Sequence, residues 1–553
     1  MDKNNNSSNK IEKTNKNSEE KELFWADQLA DQIINRKEFH YVEKKVPKFD
    51  EYIVKTSASL SGVLHIGRLS DTIRGESVYR ALKDANAKAR LIWVAEDMDP
   101  LRKIPKNVPA EFEKYIGMPV TDVPDPNRNY KSYAERFKAE YFEVLDKFLS
   151  TKMEKFSMRE EYLKGSFKKY IRKILENAEQ VRQIQNKYRS NKLEKGFLPW
   201  KPVCENCGKI VTTNVREFSN GIVKYACKDY EFETTTAKGC GFKGENDPMK
   251  GNGKLLWKSE WAVEWARWQV ASEGAGKEYH VPNSAWWING QIAEEILDFP
   301  MPVPIFYEHI MIDGEKMSAS LGNVVYPKDW IEVAPAELLR FFYNKRLMQT
   351  RSFSWKDLPN LYDDYDKHHM AYFGKIQLDN KKEEQQMRRI FEISQLKKPK
   401  EPIDFAFSHA TMIAQISPNE KDRVKSLKKT GHYDESMHEE IINRINEAKA
   451  WLEKHAPEDV KFVVQEEIPK NLKLSDKQRE ALHLVAKALK EKEWKQKELF
   501  EEFYSICGKS GISNIDFFKA AYNVLLNKDK GPKLAPFILS LGREKVVELL
   551  EKA

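Results

Sequence analysis

Tyr52-Ile53-Val54, His65-Ile66-Gly67-Arg68 and Leu91-Ile92-Trp93-Val94 follow one another within one short stretch of the chain. Between the last two, Leu69, Ile73, Val78 and Leu82 recur at helical spacing across residues 69–83. The order predicts strand, turn, helix, strand, the unit that builds a doubly wound parallel sheet and presents its turn to a nucleotide. His65 then falls at a helix N-terminus, where free N–H groups and the helix dipole favour phosphate. A second motif, Lys316-Met317-Ser318-Ala319-Ser320, lies far downstream with Gly314 and Gly322 on either side. Such flanks suit a mobile loop that carries one cation toward a triphosphate.

A chain of 553 residues predicts about three or four domains. Hydrophobic residues at 41% suffice for sizeable cores, and 32% charged residues keep the surface wet. No apolar stretch approaches the roughly 20 residues that span a bilayer, and the N-terminus lacks the apolar segment of a signal peptide. The expectation is a cytoplasmic protein without a membrane partner. The formal charge of +8 is modest for this length, but basic residues cluster at Lys397-Lys398 and around Lys425, Lys428 and Lys429. Each cluster suits either a polyanion such as tRNA or a solvated helix face. Residues 1–20, rich in Asn, Lys and Ser, read as a disordered tail.

Four of the five cysteines form a pattern: Cys204 and Cys207 as CxxC, then Cys227, then Cys240 between Gly239 and Gly241. CxxC lets two thiolates reach one ion from a tight knuckle, and two more complete the tetrahedral site that zinc prefers. Disulfides are disfavoured in a cytosolic protein. The expectation is a structural Zn2+ site, since four thiolates leave no open position for substrate. Cys507 sits in a helical pattern near Phe500, Phe503 and Tyr504 and reads as a small buried apolar residue.

Trp257, Trp261, Trp265 and Trp268 recur every three or four positions, which places four rings along one face of a helix. Such a stripe is usually core. Glu260 and Glu264 interleave with it, however, and a carboxylate beside aromatic walls is what a pocket for an alkylammonium side chain requires.

The His65 and Lys316 motifs together resemble the two ATP-handling signatures of class I aminoacyl-tRNA synthetases. The segment from Trp257 through Lys258, Ser259, Glu260, Trp261 and Glu264 to Trp265, with Gly276-Lys277-Glu278-Tyr279-His280, narrows the resemblance to the archaeal-type class I lysyl-tRNA synthetases. Pro100-Leu101-Arg102-Lys103-Ile104-Pro105, Leu358-Pro359, Tyr372-Phe373-Gly374 and Gly531-Pro532-Lys533-Leu534-Ala535-Pro536-Phe537 extend it from about residue 22 to the C-terminus.

The resemblance implies an α/β Rossmann-type catalytic domain over 21–105 and 255–310, with 106–254 as an insertion carrying the four-cysteine zinc site. A connecting domain over 311–380 then bears the Lys316 loop, and 381–553 form an all-α anticodon-binding domain. Helical spacing at Leu482, Val485, Ala486 and Leu489 agrees with the last. The implied reaction uses Mg2+-ATP and L-lysine to form lysyl-adenylate, from which a terminal hydroxyl of tRNA(Lys) takes the lysyl group. His65, Gly67 and Lys316 would bind ATP, with Ser318 beside them in catalysis. Thr56, Ser57 and Ser59 would face the lysine, with Glu260 pairing its ε-ammonium between Trp261 and His280. Asp97 and Asp99 are placed either for ligand contact or for salt bridges with Arg102 or Lys103, and Lys258 and Glu264 suit pairing along the helix surface.

The chain departs from the family pattern at Ser57, Leu60 and Arg68, where Gly, Pro and Asn are expected. Ser57 carries a Cβ to the strand end where the amino acid lies, which would displace the pocket backbone. Ala319 replaces the second lysine of the loop, and Pro282-Asn283-Ser284-Ala285-Trp286-Trp287 replaces a glycine-rich stretch. A second metal site of some relatives keeps only Asp125-Pro126, with Asn129, Tyr130 and Arg136 at the other ligand places, so the four cysteines are the one expected zinc site. Two rival readings stand beside the lysine enzyme: a class I synthetase for another amino acid, and a non-catalytic tRNA-binding relative. The oligomeric state is left open, a monomer being the simpler expectation.

Overall fold

The computed structural model describes residues 24–60, 62–104, 108–317 and 323–553. The expected tail over 1–20 and the expected catalytic Ser318 lie outside them. The first motif folds as its spacing predicts: strand β1 (Tyr52–Ser59), helix α1 (Ile66–Asp84) and strand β2 (Ala89–Glu96). Three further strands complete a sheet: β3 (Glu154–Ser157), β4 (Val270–Gly276) and β5 (Val303–Tyr307). All pairings are parallel and the order is β3-β2-β1-β4-β5. Chain order reverses between β1 and β4, which makes their carboxyl ends the crevice where such sheets bind ligands. Strand β3 lies within 106–254, the span the sequence reading assigns to the insertion, so the sheet takes in part of that span. Ser57 leaves β1 in regular register with β2 through Ser59 opposite Glu96, so the expected displacement of the backbone is absent there.

Helix α2 (Trp257–Trp268) and helix α3 (Ala285–Glu295) pack on the sheet. Trp265 and Trp286 are fully buried, and their ring centroids lie 4.9 Å apart. Aromatic contacts of this kind contribute about 0.5–1.5 kcal/mol each beyond their buried area.

After β5 the chain forms a small sheet of β6 (Ile310–Ile312), β7 (Glu315–Lys316) and β8 (Arg351–Phe353), ordered β7-β6-β8. Arg340 ties helix α1 to the C-terminal half of the chain: fully buried, it pairs with Glu76 and donates to the carbonyls of Phe148 and Ser394. Beyond residue 380 the described structure is helical, as expected. It includes α4 (Asp476–Glu491), α5 (Gln496–Ser510) and α6 (Asn514–Leu526), and Cys507 is buried in their core. No helix among the described residues is long and apolar enough to cross a membrane.

Candidate active site

A cavity of about 630 Å3 opens at the carboxyl ends of the strands. Each strand end delivers a wall: Ser57 to Ser59 from β1, Glu96 from β2, Gly274 to Gly276 from β4 and Tyr307 from β5. Residues following β2 add Asp99 and Arg102, α2 adds Trp257 and Trp261, and the N-terminus of α1 adds His65, Gly67 and Arg68. Lys316 and Met317 reach the same cavity from β7, so the two motifs read in the sequence meet in space.

At the α1 terminus, His65 is the N-cap and its Nδ1 accepts from the Gly67 N–H at 3.1 Å. Burial, reinforced by the neighbouring Arg68 charge, lowers the imidazole to about 4, so the ring is neutral near pH 7. With Nδ1 accepting, the ring proton is on Nε2, which makes His65 a neutral donor beside the free N–H groups of the helix. A Cβ on Gly67 would lie 2.7 Å from Met317 Cε and 2.8 Å from His65 Cε1, so both motifs need a glycine there. Arg68 and Lys316 are exposed cations at the mouth with no carboxylate in ion-pair distance among the described residues.

The inner wall holds a charge network. Lys55 is fully buried in β1; its Nζ lies 2.7 Å from Glu264, 2.6 Å from Glu273 and 3.7 Å from Glu96. Glu273 also accepts from the indoles of Trp261 and Trp265 at 3.0 and 2.6 Å. Beside it, Lys254 pairs with Glu260 at 2.9 Å and Asp99 at 3.3 Å, and Asp99 accepts from the Ser59 hydroxyl at 2.9 Å. Five carboxyl groups thus face two ammonium groups. Burial raises Glu96 well above the carboxylate range, with Glu264 adding repulsion, and burial raises Glu264 to about 7 and Glu260 upward. Glu96, Glu260 and Glu264 approach closely enough to hold a metal ion, but Lys55 and Lys254 already supply cations to them.

A second carboxylate comes from α1. Asp71 is buried and accepts from the Tyr307 hydroxyl at 2.9 Å and from Ser57 N–H at 3.4 Å, while burial raises it to about 6. Gly274 permits this approach, because a Cβ there would stand 2.1 Å from Asp71 Oδ1.

Of the residues expected at lysine, Ser57, Ser59 and Trp261 line the cavity, and Thr56, Glu260 and His280 do not. Thr56 is buried and donates to the Ile92 carbonyl at 3.2 Å. Both oxygens of Glu260 are engaged: Oε1 accepts from the Tyr162 hydroxyl at 2.6 Å and Oε2 meets Lys254. His280 is exposed and packs edge-on against Phe306 with centroids 5.0 Å apart. Glu264 does not pair with Lys258 on a helix surface, because that part of α2 is buried and Lys55 meets it from β1. Asp99 pairs with Lys254 rather than Arg102 or Lys103, and Asp97, buried outside the cavity, accepts from Arg159 N–H at 2.9 Å. The tryptophan stripe divides: Trp257 and Trp261 stack at 4.6 Å on the cavity side, while Trp265 and Trp268 are core. Sequence reading missed Glu96, Asp71, Arg68's place at the mouth and the buried lysines. Glu96 closes a strand at a doubly wound edge, and Lys55 interrupts an apolar strand; both are signals of a ligand end and an internal ion pair.

The four cysteines converge as expected. Cys204 and Cys240 sulfurs are 3.7 Å apart, as are those of Cys207 and Cys227, and all four lie within 4.8 Å of one another. A tetrahedron with metal–sulfur bonds of about 2.3 Å has edges of about 3.8 Å, so the donor set fits zinc. The cysteine module abuts the cavity rim, where Thr235 Oγ1 donates to the Arg102 carbonyl at 2.6 Å. Asp125, the remnant of the second metal pattern, accepts from the N–H groups of Asn129 and Tyr130 at 2.8 and 3.2 Å.

Residues 23–397 match the family described as tRNA synthetases class I (K), and residues 408–553 match an anticodon binding domain. The chain is 34% identical to a lysine–tRNA ligase of Thermococcus kodakarensis, over 96% of this chain and 99% of that protein. Identity to the lysine–tRNA ligase of Methanocaldococcus jannaschii is 32%, over 95% and 99% of the two chains. For the enzyme of the same description from Methanosphaera stadtmanae it is 28%, over 95% and 98%.

Proposed function

This chain belongs to the class I (K) tRNA synthetases, and from that premise we propose that it activates L-lysine with Mg2+-ATP and ligates it to tRNA(Lys). The observation that carries the amino-acid choice is the charge imbalance at the cavity wall: five carboxyl groups against Lys55 and Lys254. Burying carboxylates without counterions is costly, which is why Glu96 and Glu264 hold their protons so tightly. A third ammonium group relieves that cost. Glu96 and Asp99 are the members that line the cavity, so they replace Glu260 as the partners assigned to the substrate's ε-ammonium, with Trp257 and Trp261 covering its methylenes. Asp71, held by Tyr307, takes the α-ammonium.

With the amino acid so held, its carboxylate attacks the α-phosphorus of ATP, the bond to the bridging oxygen breaks, and pyrophosphate leaves. The protein's part is positioning and charge stabilisation. His65 Nε2–H and the N–H groups of α1 donate to phosphate oxygens, and Lys316 and Arg68 offset the charge that develops on pyrophosphate. Arg68 then stands in for the loop lysine replaced by Ala319. A terminal hydroxyl of the tRNA next attacks the lysyl carbonyl and releases AMP. Zn2+ on Cys204, Cys207, Cys227 and Cys240 would hold the module against the rim at Arg102. The cytoplasm is the compartment this reaction requires. ATP–pyrophosphate exchange with each of the 20 amino acids, with and without tRNA, tests the reading: exchange dependent on lysine supports it, and exchange with another amino acid or with none overturns it.

A further inference from the structure

A second cavity, of about 530 Å3, lies in the C-terminal helical domain, within the size range of small-ligand sites. The loop before α4 forms one side, with Lys470, Asn471 and Lys473, and α6 forms the other, with Lys519, Asn523 and Asn527. No carboxylate lines it. Lys470 and Lys473 enter no ion pair, and the side chains of Asn471 and Asn527 make no hydrogen bond, among the described residues. By contrast, Lys519 is held by Asp529 at 3.1 Å, and Asn523 donates to Asp529 at 3.1 Å. The cavity therefore has built, neutralised walls and a set of donors left open. Ile515, one turn before Lys519 on the same face of α6, is 80% exposed and adds an apolar surface outside the mouth.

Free ammonium groups suit phosphate, carboxamides present the paired donor and acceptor that match a base edge, and half-buried Leu472 and Leu474 offer a surface for a ring. A free anion would use the lysines alone and leave the amides without purpose. We propose that this cavity seats one unpaired nucleotide of the tRNA anticodon loop, its base against Asn471 and Asn527 and its phosphates on Lys470 and Lys473. The assignment rests on the reading of the chain as a tRNA ligase and gives its anticodon-binding part a specific pocket.

The test uses the full chain and two RNA hairpins: the anticodon stem-loop of tRNA(Lys), and the same hairpin with abasic residues at the three anticodon positions. Wild type is expected to bind the intact hairpin at least tenfold more tightly, measured by fluorescence anisotropy. Asn471→Ala should narrow that preference severalfold. Lys470→Ala with Lys473→Ala should weaken both hairpins and make the slope of log K against log salt shallower by about 2, about 1 per lysine. The three substituted side chains are exposed and carry no core packing, so loss of fold does not confuse the readout. Equal binding of intact and abasic hairpins, or an unchanged preference in Asn471→Ala, overturns the nucleotide pocket; unchanged binding and salt slope in the double variant overturns the phosphate contacts. Lysylation of intact tRNA(Lys) by wild type is measured in parallel, and its absence would sink the ligase reading itself whatever the hairpins show.

Discussion

Replacing Glu96 by Gln keeps the shape of the cavity wall and removes one negative charge. In the free protein the change is mild, because burial and Glu264 already favour the protonated, neutral form of Glu96. With lysine bound, the ε-ammonium loses a charged acceptor in a largely buried setting, where Glu96 is only 7% exposed. A hydrogen bond to a charged group contributes about 1.5–3 kcal/mol, and each 1.36 kcal/mol is tenfold. The KM for lysine in pyrophosphate exchange should therefore rise roughly 10- to 150-fold, while the KM for ATP changes little. The melting temperature without lysine should be unchanged or higher, since a repulsive carboxyl has gone, and the stabilisation conferred by added lysine should shrink. A variant whose lysine KM stays within threefold of wild type would refute the assignment of Glu96, and a large loss of stability without ligand would show that the side chain is structural.

The geometry sets four other outcomes. The KM for lysine should climb as pH falls from about 7.5 to 5.5, because Glu264 and Asp71 titrate at about 7 and 6 and only their ionised forms attract the substrate; Asp71→Asn should flatten the part of the profile below pH 6. The same raised value makes ionised Asp71 a cost to the ligand-free fold, so its contribution to stability falls as pH rises between the ordinary carboxylate range and about 6, which a pH series of urea melts on Asp71→Asn and wild type would measure. Gly67→Ala should reduce kcat/KM for ATP more than tenfold, since the added methyl overlaps Met317 and the His65 ring, and a wild-type value would show that these groups yield at no cost. Arg68→Asn should cost about 1.5–3 kcal/mol in exchange kcat, with partial recovery on adding Ala319→Lys, if the two positions share the pyrophosphate charge; an unaltered kcat in Arg68→Asn would remove that residue from the mechanism.

The cysteine module offers a further check on how the parts depend on one another. Metal analysis should find one zinc per chain, and Cys204→Ser should lower both the zinc content and exchange activity through the rim contact between Thr235 and Arg102. Zinc content unaffected by that substitution would exclude the four-sulfur site.

Much of this molecule is legible in short-range pattern. Apolar spacing alone places β1, α1 and β2, because a strand or helix buries one face whatever lies opposite. CxxC with two later cysteines marks a metal-binding donor set for the same local reason. The His65 and Lys316 motifs carry their roles in residue type and in flanking glycines. What sequence did not determine is which carboxylates are spent within the protein and which remain for the substrate. Glu260 reads as the natural lysine ligand beside Trp261, yet Lys254 and Tyr162 occupy it, while Glu96 closes a strand with an oxygen toward the cavity. That division depends on Lys55 and Lys254 meeting acids from β2, α2 and β4, distant in the chain, and on burial that raises some carboxyls and leaves others available. Local propensity acts through neighbours along the backbone, whereas charge compensation acts through space, so only the folded arrangement decides it.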